Sequence, residues 1–204
     1  IWAPASAAKE DNSAFWLGRN EKGQGIVYRA AQGYVPQRVS TFAIEQAIQT
    51  YASPELATAY TYQQDGHHFY VLNFAEASWA LDINTGLWHQ RAYRNTTTGE
   101  LERHRAETHA LFNGQHMVGD YADGRLYALD LDTFTDDGDP IYRERTWAQL
   151  ESENKWIRHH RGELIAEMGV GLDGAPSGDG ADPQVWLQWS DDGGRGWGNA
   201  HNRS

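Results

Sequence analysis

The sequence predicts an all-β fold built from repeated antiparallel sheets, and three observations carry that prediction. Two stretches recur at one spacing: Gly66-His67-His68-Phe69-Tyr70-Val71 and Gly114-Gln115-His116-Met117-Val118 stand 48 residues apart, as do Ala80-Leu81-Asp82-Ile83-Asn84-Thr85 and Ala128-Leu129-Asp130-Leu131-Asp132-Thr133. A period of about 40–50 residues with several short strands per unit is what propeller blades give. The aromatic load is high, with 9 Trp, 10 Tyr and 6 Phe in 204 residues, so a chain of only 40% hydrophobic content can still fill a core with large side chains suited to pleated surfaces. Near the end, Val185, Leu187 and Trp189 alternate with polar or opposite-facing residues, and Ser190-Asp191-Asp192-Gly193-Gly194 follows as a tight turn. The expected architecture is a partial β-propeller of about four antiparallel blades (1–40, 57–95, 105–147 and 155–204) with a short helical insertion at 42–51.

In chain order, Ala14–Gly18, Gly25–Ala30 and Tyr34–Val39 read as the later strands of a first blade. Phe42 to Tyr51 is the one helical stretch, because Phe42, Ile44, Ala47 and Ile48 make a partial helical stripe, Thr41 is placed to cap it and Ser53-Pro54 ends it. The first repeat unit holds four strand-sized runs, Thr58–Tyr62, Phe69–Phe74, Ser78–Asp82 and Trp88–Arg91, with turns at Asp65-Gly66 and Asn84-Thr85-Gly86. The second repeats the plan with Thr108–Phe112, Met117–Tyr121, Arg125–Leu129 and Tyr142–Thr146, turning at Asn113-Gly114 and Asp123-Gly124. Lys155–Ile157 and Glu163–Met168 are expected to lead as strands into the last hairpin, across an exposed Gly- and Asp-rich loop from Gly171 to Pro183.

Ser190, Asp192, Gly194 and Trp197 stand in S-x-D-x-G-x-x-W order. This resembles the Asp-box of sialidase-like propellers, and the resemblance implies structural roles: Asp accepts backbone N–H bonds within the turn, Gly takes a backbone conformation closed to other residues, and Trp packs into the blade. The motif speaks to fold and not to chemistry.

Charge and composition narrow the function. With 17 basic and 28 acidic residues the net charge is −11, which repels duplex DNA at long range and argues against direct, sequence-specific nucleic-acid binding. The chain has no Cys, which excludes a disulfide framework and thiolate metal sites. No apolar run approaches the ~20 residues that span a bilayer, so no membrane partner is expected. Ile1-Trp2-Ala3-Pro4 is neither a signal peptide nor a start with Met, and the chain stops at Ser204, where a blade's fourth strand should be running. Both features suggest a piece of a longer protein.

Phe15-Trp16-Leu17-Gly18, Gly25-Ile26-Val27-Tyr28, Pro36-Gln37-Arg38-Val39-Ser40-Thr41, Ala59-Tyr60-Thr61-Tyr62-Gln63, Gly66-His67 and Thr85-Gly86-Leu87-Trp88-His89 together resemble the phage stabilisation proteins, the packaged-DNA stabilisation or tail hub proteins of short-tailed phages. The resemblance rests on strand-and-turn phrases. It implies a virion tail component, made in the bacterial host cytoplasm, that forms a homo-oligomeric ring below the portal, helps keep DNA inside and gives attachment to the tail needle and tailspikes.

Searches for chemistry return little. His67-His68, His104, His109, His116 and His159-His160 could supply metal ligands, yet there is no His-Glu-x-x-His, and the repeat sets His68 and His116 at equivalent positions, which suggests shared packing. Asp130, Asp132, Asp136, Asp137 and Asp139 form an acidic run; Phe134 takes the place of a third EF-hand oxygen and Gly138 comes too late, so a solvated loop is expected over Ca²⁺ binding. A sialidase would need converging arginines, and Arg91, Arg94, Arg103, Arg105, Arg143, Arg145, Arg158 and Arg161 are available, but nothing in the sequence makes them converge. The expectation is a structural protein with no catalytic, cofactor or metal residues; a glycan-binding or sialidase-like propeller is the alternative.

Overall fold

The computed structural model describes residues 1–31, 35–147, 153, 155, 157–158, 160–165 and 184–203. The chain divides into two compact units, Ile1–Thr133 and Phe134–Ser204. Antiparallel strands dominate, as expected.

In the first unit, β1 (Ala3–Glu10), β2 (Ser13–Arg19), β3 (Gly25–Ala30) and β4 (Pro36–Arg38) form the first sheet as a meander. Only β1 was not anticipated: its small residues and Pro4 hide the alternation, and Asp11-Asn12, both at positive φ, make the turn into β2. Helix α1 (Phe42–Thr50) follows, and Thr41 Oγ1 accepts from the Ile44 N–H at 3.5 Å. Its inward face is fastened twice. Ile44 and Ile48 enter the core, and the buried Glu45 carboxylate accepts from Arg38 Nε and Ser40 Oγ, both at 2.6 Å. A short turn of 3₁₀ helix at Pro54–Leu56 then leads into the second sheet.

The second sheet is a five-stranded meander of β5 (Thr58–Gln64), β6 (His67–Asn73), β7 (Ser78–Asp82), β8 (Leu87–Arg94) and β9 (Leu101–Arg103). The third contains β10 (Ala106–Phe112), β11 (Gln115–Asp120) and β12 (Leu126–Leu129). Each of these three strands begins 48 residues after its counterpart β5, β6 or β7. The first hairpins match in register, Thr61 pairing Tyr70 and His109 pairing Val118, and both turn through two residues at positive φ, Asp65-Gly66 and Asn113-Gly114. The next pairing slips. Val71 faces Ala80, whereas Gly119 faces Leu126 and not Ala128. A slip of two residues leaves every side chain on its face of the sheet, but the burial does not repeat: Ser78, Ala80, Leu81 and Asp82 of β7 are buried, whereas Leu126 and Ala128 of β12 are exposed.

The sheets stack in chain order, and each seam carries a core. Between the first and second, Ala3, Phe15, Leu17, Val27, Tyr70, Leu72 and Leu81 pack with the helix residues, and the Phe15 and Tyr70 rings stack at 5.2 Å. Polar stitches run along the strands: Tyr70 Oη donates to the Ser6 carbonyl at 2.8 Å, and Thr61 Oγ1 to that of Lys9 at 3.1 Å. Between the second and third, Tyr60, Tyr62, Val71, Ala80, Ala106 and Val118 form a second cluster, and Asn73 Nδ2 donates to the Ala106 carbonyl at 3.0 Å.

In the second unit, β13 (Thr135–Asp136) pairs with β14 (Asp139–Pro140), and β15 (Val185–Leu187) with β16 (His201–Arg203). The expected strand at Tyr142–Thr146 is irregular backbone instead, so the second repeat unit supplies a three-stranded sheet and not a four-stranded one. The chain there has already closed a tight hairpin at Asp137-Gly138; Pro140 brings no N–H to extend a ladder, and Tyr142 to Thr146 are all exposed, with no face to bury. Lys155, Ile157 and Glu163–Ile165 are likewise irregular and not strand; Trp156, Ala166–Met168 and Gly171–Pro183 lie outside the described residues, as does Tyr34.

Candidate functional site

A dense gathering of polar and aromatic groups lies in the seam between the second and third sheets. Pleat and register create it. Tyr60 and Tyr62 on β5, Phe69 and Val71 on β6, Ala80 on β7 and His89 and Arg91 on β8 share one face, because cross-strand partners and alternate residues point the same way. Against that face stand His109, His116 and Val118 of the third sheet. The Arg91 guanidinium lies 5.3 Å from the ring centres of both Tyr62 and Phe69, donates to the Tyr62 hydroxyl, and reaches His89 Nε2 at 3.3 Å. Such a cation over aromatic faces is favourable where water is thin.

Several groups here are buried without a full set of partners. The Tyr60 hydroxyl, Arg103 Nε and His104 Nε2 meet no hydrogen-bonding group at bonding geometry. Burial pushes the Tyr60 phenol up to about 12, even though the nearby Arg91 charge favours its ionised form. Burial drives the His104 imidazolium down to about 4, helped by the Arg91 and Arg103 charges and opposed by Asp120. His89 is lowered to about 4 for the same two reasons, burial first and Arg91 second, although the residue as a whole is exposed. His109 is lowered by burial and by His116, whose Nδ1 lies 2.9 Å from His109 Nε2.

The other sequence candidates are held in local pairs. His67 Nδ1 meets Asp82 at 2.9 Å and His68 Nδ1 meets Glu10 at 2.7 Å, so His68 and His116 share a position in the repeat but not a partner. His160 is exposed and His159 lies outside the described residues. Arg103 binds Glu107 and covers the Tyr121 ring, Arg105 binds Asp120 at 2.6 Å, and Arg161 binds Glu163 at 3.0 Å. Burial raises the Asp120 carboxyl, but the Ala122 N–H and Arg105 outweigh it and hold the group low. Among the described residues, no three His, Asp or Glu side chains gather to hold a metal ion. Asp130 instead folds its own turn, accepting from the Asp132 N–H at 3.2 Å and Thr133 Oγ1 at 3.0 Å.

In the second unit the Ser190-to-Trp197 turn is organised by one carboxylate. Asp192 Oδ1 accepts from the N–H of Arg195 at 2.9 Å, that of Gly196 at 2.8 Å and Ser190 Oγ at 2.7 Å. The Gly196 bond and then Ser190 hold its carboxyl below the usual range. Ser190 Oγ accepts from the Gly194 N–H at 2.8 Å, and Gly193 and Gly194 sit at φ of 75° and 88°, where a side chain would be strained. Trp197 does not bury itself as expected; it is 51% exposed, and it is Trp189 that stacks, on His201 at 4.8 Å. The short β15–β16 ladder offers no apolar floor, since Val185, Trp186 and Leu187 are themselves exposed.

Sequence reasoning missed the convergence in the seam. In the sequence Arg91 is one of many arginines and His104 one of many histidines; only the fold brings β8 beside Tyr62 and His104 within reach of the Arg91 charge. No curated protein matches the chain. A family model described as Bacteriophage P22 Gp10, beta-propeller, matches residues 1–134, the span of the three stacked sheets, and the chain therefore belongs to this phage stabilisation family of virion structural proteins.

Proposed function

We propose that this protein is a non-enzymatic part of a phage tail hub that helps retain packaged DNA and connects the portal to the needle and tailspikes, acting in the intact virion as a homo-oligomeric ring. The family match over the stacked sheets carries the reading. The charge supports it: at −11 the chain is suited to plugging and to protein contacts, since negative walls do not grip phosphate. Arg91, Arg103 and Arg105 fit it too, because each is engaged by a neighbouring hydroxyl or carboxylate within the fold. The Ser190, Asp192, Gly194 and Trp197 turn fits the Asp-box pattern and serves the fold in this reading.

The test is complementation. Heads that lack the protein, supplied with its intact form, should retain DNA and release no fluorophore from a sialoside. Continued leakage together with sugar release would favour the glycosidase. One observation favours a second reading, glycan binding without catalysis: Trp186, Trp189 and Trp197 are each at least half exposed. Trp faces are common platforms for sugars and for protein hot spots alike, so binding on a glycan array that is lost in Trp186→Ala would move the assignment to that class.

A further inference from the structure

We propose that His109 and His116 form a two-histidine chelate for a divalent transition-metal ion with cis nitrogen ligands, copper(II) or nickel(II) in kind. The two imidazoles stand on adjacent strands of the third sheet, on the face turned to the second. Val118 lies directly opposite His109 and two residues from His116, so the rings sit diagonally across one hairpin. Their nitrogens, Nε2 of His109 and Nδ1 of His116, are 2.9 Å apart. With metal–nitrogen bonds of about 2.05 Å, that separation corresponds to an angle of about 90° at the metal, the cis angle of square-planar and octahedral ions; a tetrahedral ion would want the nitrogens about 3.3 Å apart.

The surroundings prepare one ligand already. The His109 ring also bonds the Thr61 backbone; with Nε2 facing His116, donation to Thr61 from the other ring nitrogen would leave the Nε2 lone pair turned toward His116. Anchoring of the second ring nitrogen in this way orients metal-binding histidines and strengthens them as donors. In that arrangement His116 needs only to carry its proton on Nε2 in place of Nδ1, a change of tautomer that alters no net charge. The Glu10 carboxylate is close enough to act electrostatically on His109, and the chain as a whole is acidic, so a cation is drawn in. Tyr60 and Tyr62 wall the pair at ring distances of 6.1 and 5.6 Å from His109. Both histidines are only partly buried, which lets water complete the coordination that two protein ligands begin.

The experiment is calorimetric titration of the folded protein with nickel chloride at pH 8 and pH 5. The wild type should show one 1:1 site at pH 8 that weakens at pH 5, where protons compete for the nitrogens. His109→Ala and His116→Gln should each weaken the site at least tenfold, while His68→Ala, one blade away, should leave it intact. Should His109→Ala fail to fold, His116→Gln, which keeps a polar side chain at the position, serves, together with nickel-induced shifts of the two imidazole NMR signals in the wild type. An isotherm unchanged by His116→Gln, or no binding by the wild type beyond that of His116→Gln, would mean that the two rings only share a proton and would overturn the site.

Discussion

The two seams of the first unit are built on the same strand plan and filled with different chemistry. Between the first and second sheets the contact is mostly apolar and its polar groups are partnered: Phe15, Leu17, Tyr70 and Leu72 are 0% exposed, the Tyr70 hydroxyl donates to the Ser6 carbonyl, and the buried Ser6 hydroxyl donates to the Ala3 carbonyl. Between the second and third, Val118 stands where the repeat would set Tyr70's counterpart, His109 stands in place of Thr61, and buried polar atoms on Tyr60, Arg103 and His104 are left short of partners. A repeated backbone thus guarantees which positions face a seam, not what they do there. The first seam is where burial stabilises the fold; the second is where ionisation can act on it.

The largest effect should come from breaking the apolar seam. Tyr70→Ala removes a fully buried ring and its bond to Ser6, and should cost on the order of 3–5 kcal/mol in denaturant unfolding of the first unit. A loss below about 1 kcal/mol would mean that this contact does not hold the sheets together.

Acid should act on the other seam. The folded His104 sits near 4, below the ordinary value of 6.5, so the unfolded chain takes the proton first. Stability is then complete above pH 6.5 and falls as pH drops toward 4, by on the order of 2–3 kcal/mol for this one group. His89 moves the same way, with a smaller share because the residue is exposed and solvent screens its charge. Melting followed between pH 7 and pH 4 should show the decline, and His104→Gln should flatten it. An unchanged slope in that variant would place the acid sensitivity elsewhere.

A smaller effect is expected at the helix that closes the first seam. Thr41→Ala deletes the cap on α1, and since the bond is long at 3.5 Å the cost should sit at the low end of capping, about 0.5–1 kcal/mol by thermal unfolding. The most local change concerns the second unit. Asp192→Ala removes the acceptor of two backbone N–H groups and should speed hydrogen exchange at Arg195 and Gly196 without moving the unfolding midpoint of residues 1–133. Exchange at those amides as slow as in the wild type would show that the carboxylate does not order the turn.

Much of the strand order was legible because apolar alternation and Asp-Gly or Asn-Gly turns are local signals. The runs at 58–62, 69–74, 78–82 and 88–91 each lie in or overlap one strand of the second sheet, and the helix begins at Phe42 behind Thr41. Misses follow from the same logic. β1 is too poor in large side chains to announce itself, and β9 is three residues long. The charged alternation from Tyr142 to Thr146 imitates a strand but has nothing to pack on. Around Ser190 no local pattern could say that Trp197 would stay exposed while Trp189 met His201.

By itself the sequence determined the all-β class, the 48-residue period, the helix and its cap, the acidic charge and the likeness to the phage stabilisation family, because each depends on spacing or composition along the chain. Tertiary structure alone decided that His68 would meet Glu10 while its counterpart His116 met His109, that Arg91 would lie over Tyr62 and Phe69, and that His104 would be buried among cations. For His68 and Glu10 the outcome depends on which sheet lies across the seam, and for His109 with His116 and Arg91 with Tyr62 and Phe69 on how the strands of one sheet are registered, neither of which is set by immediate neighbours in sequence.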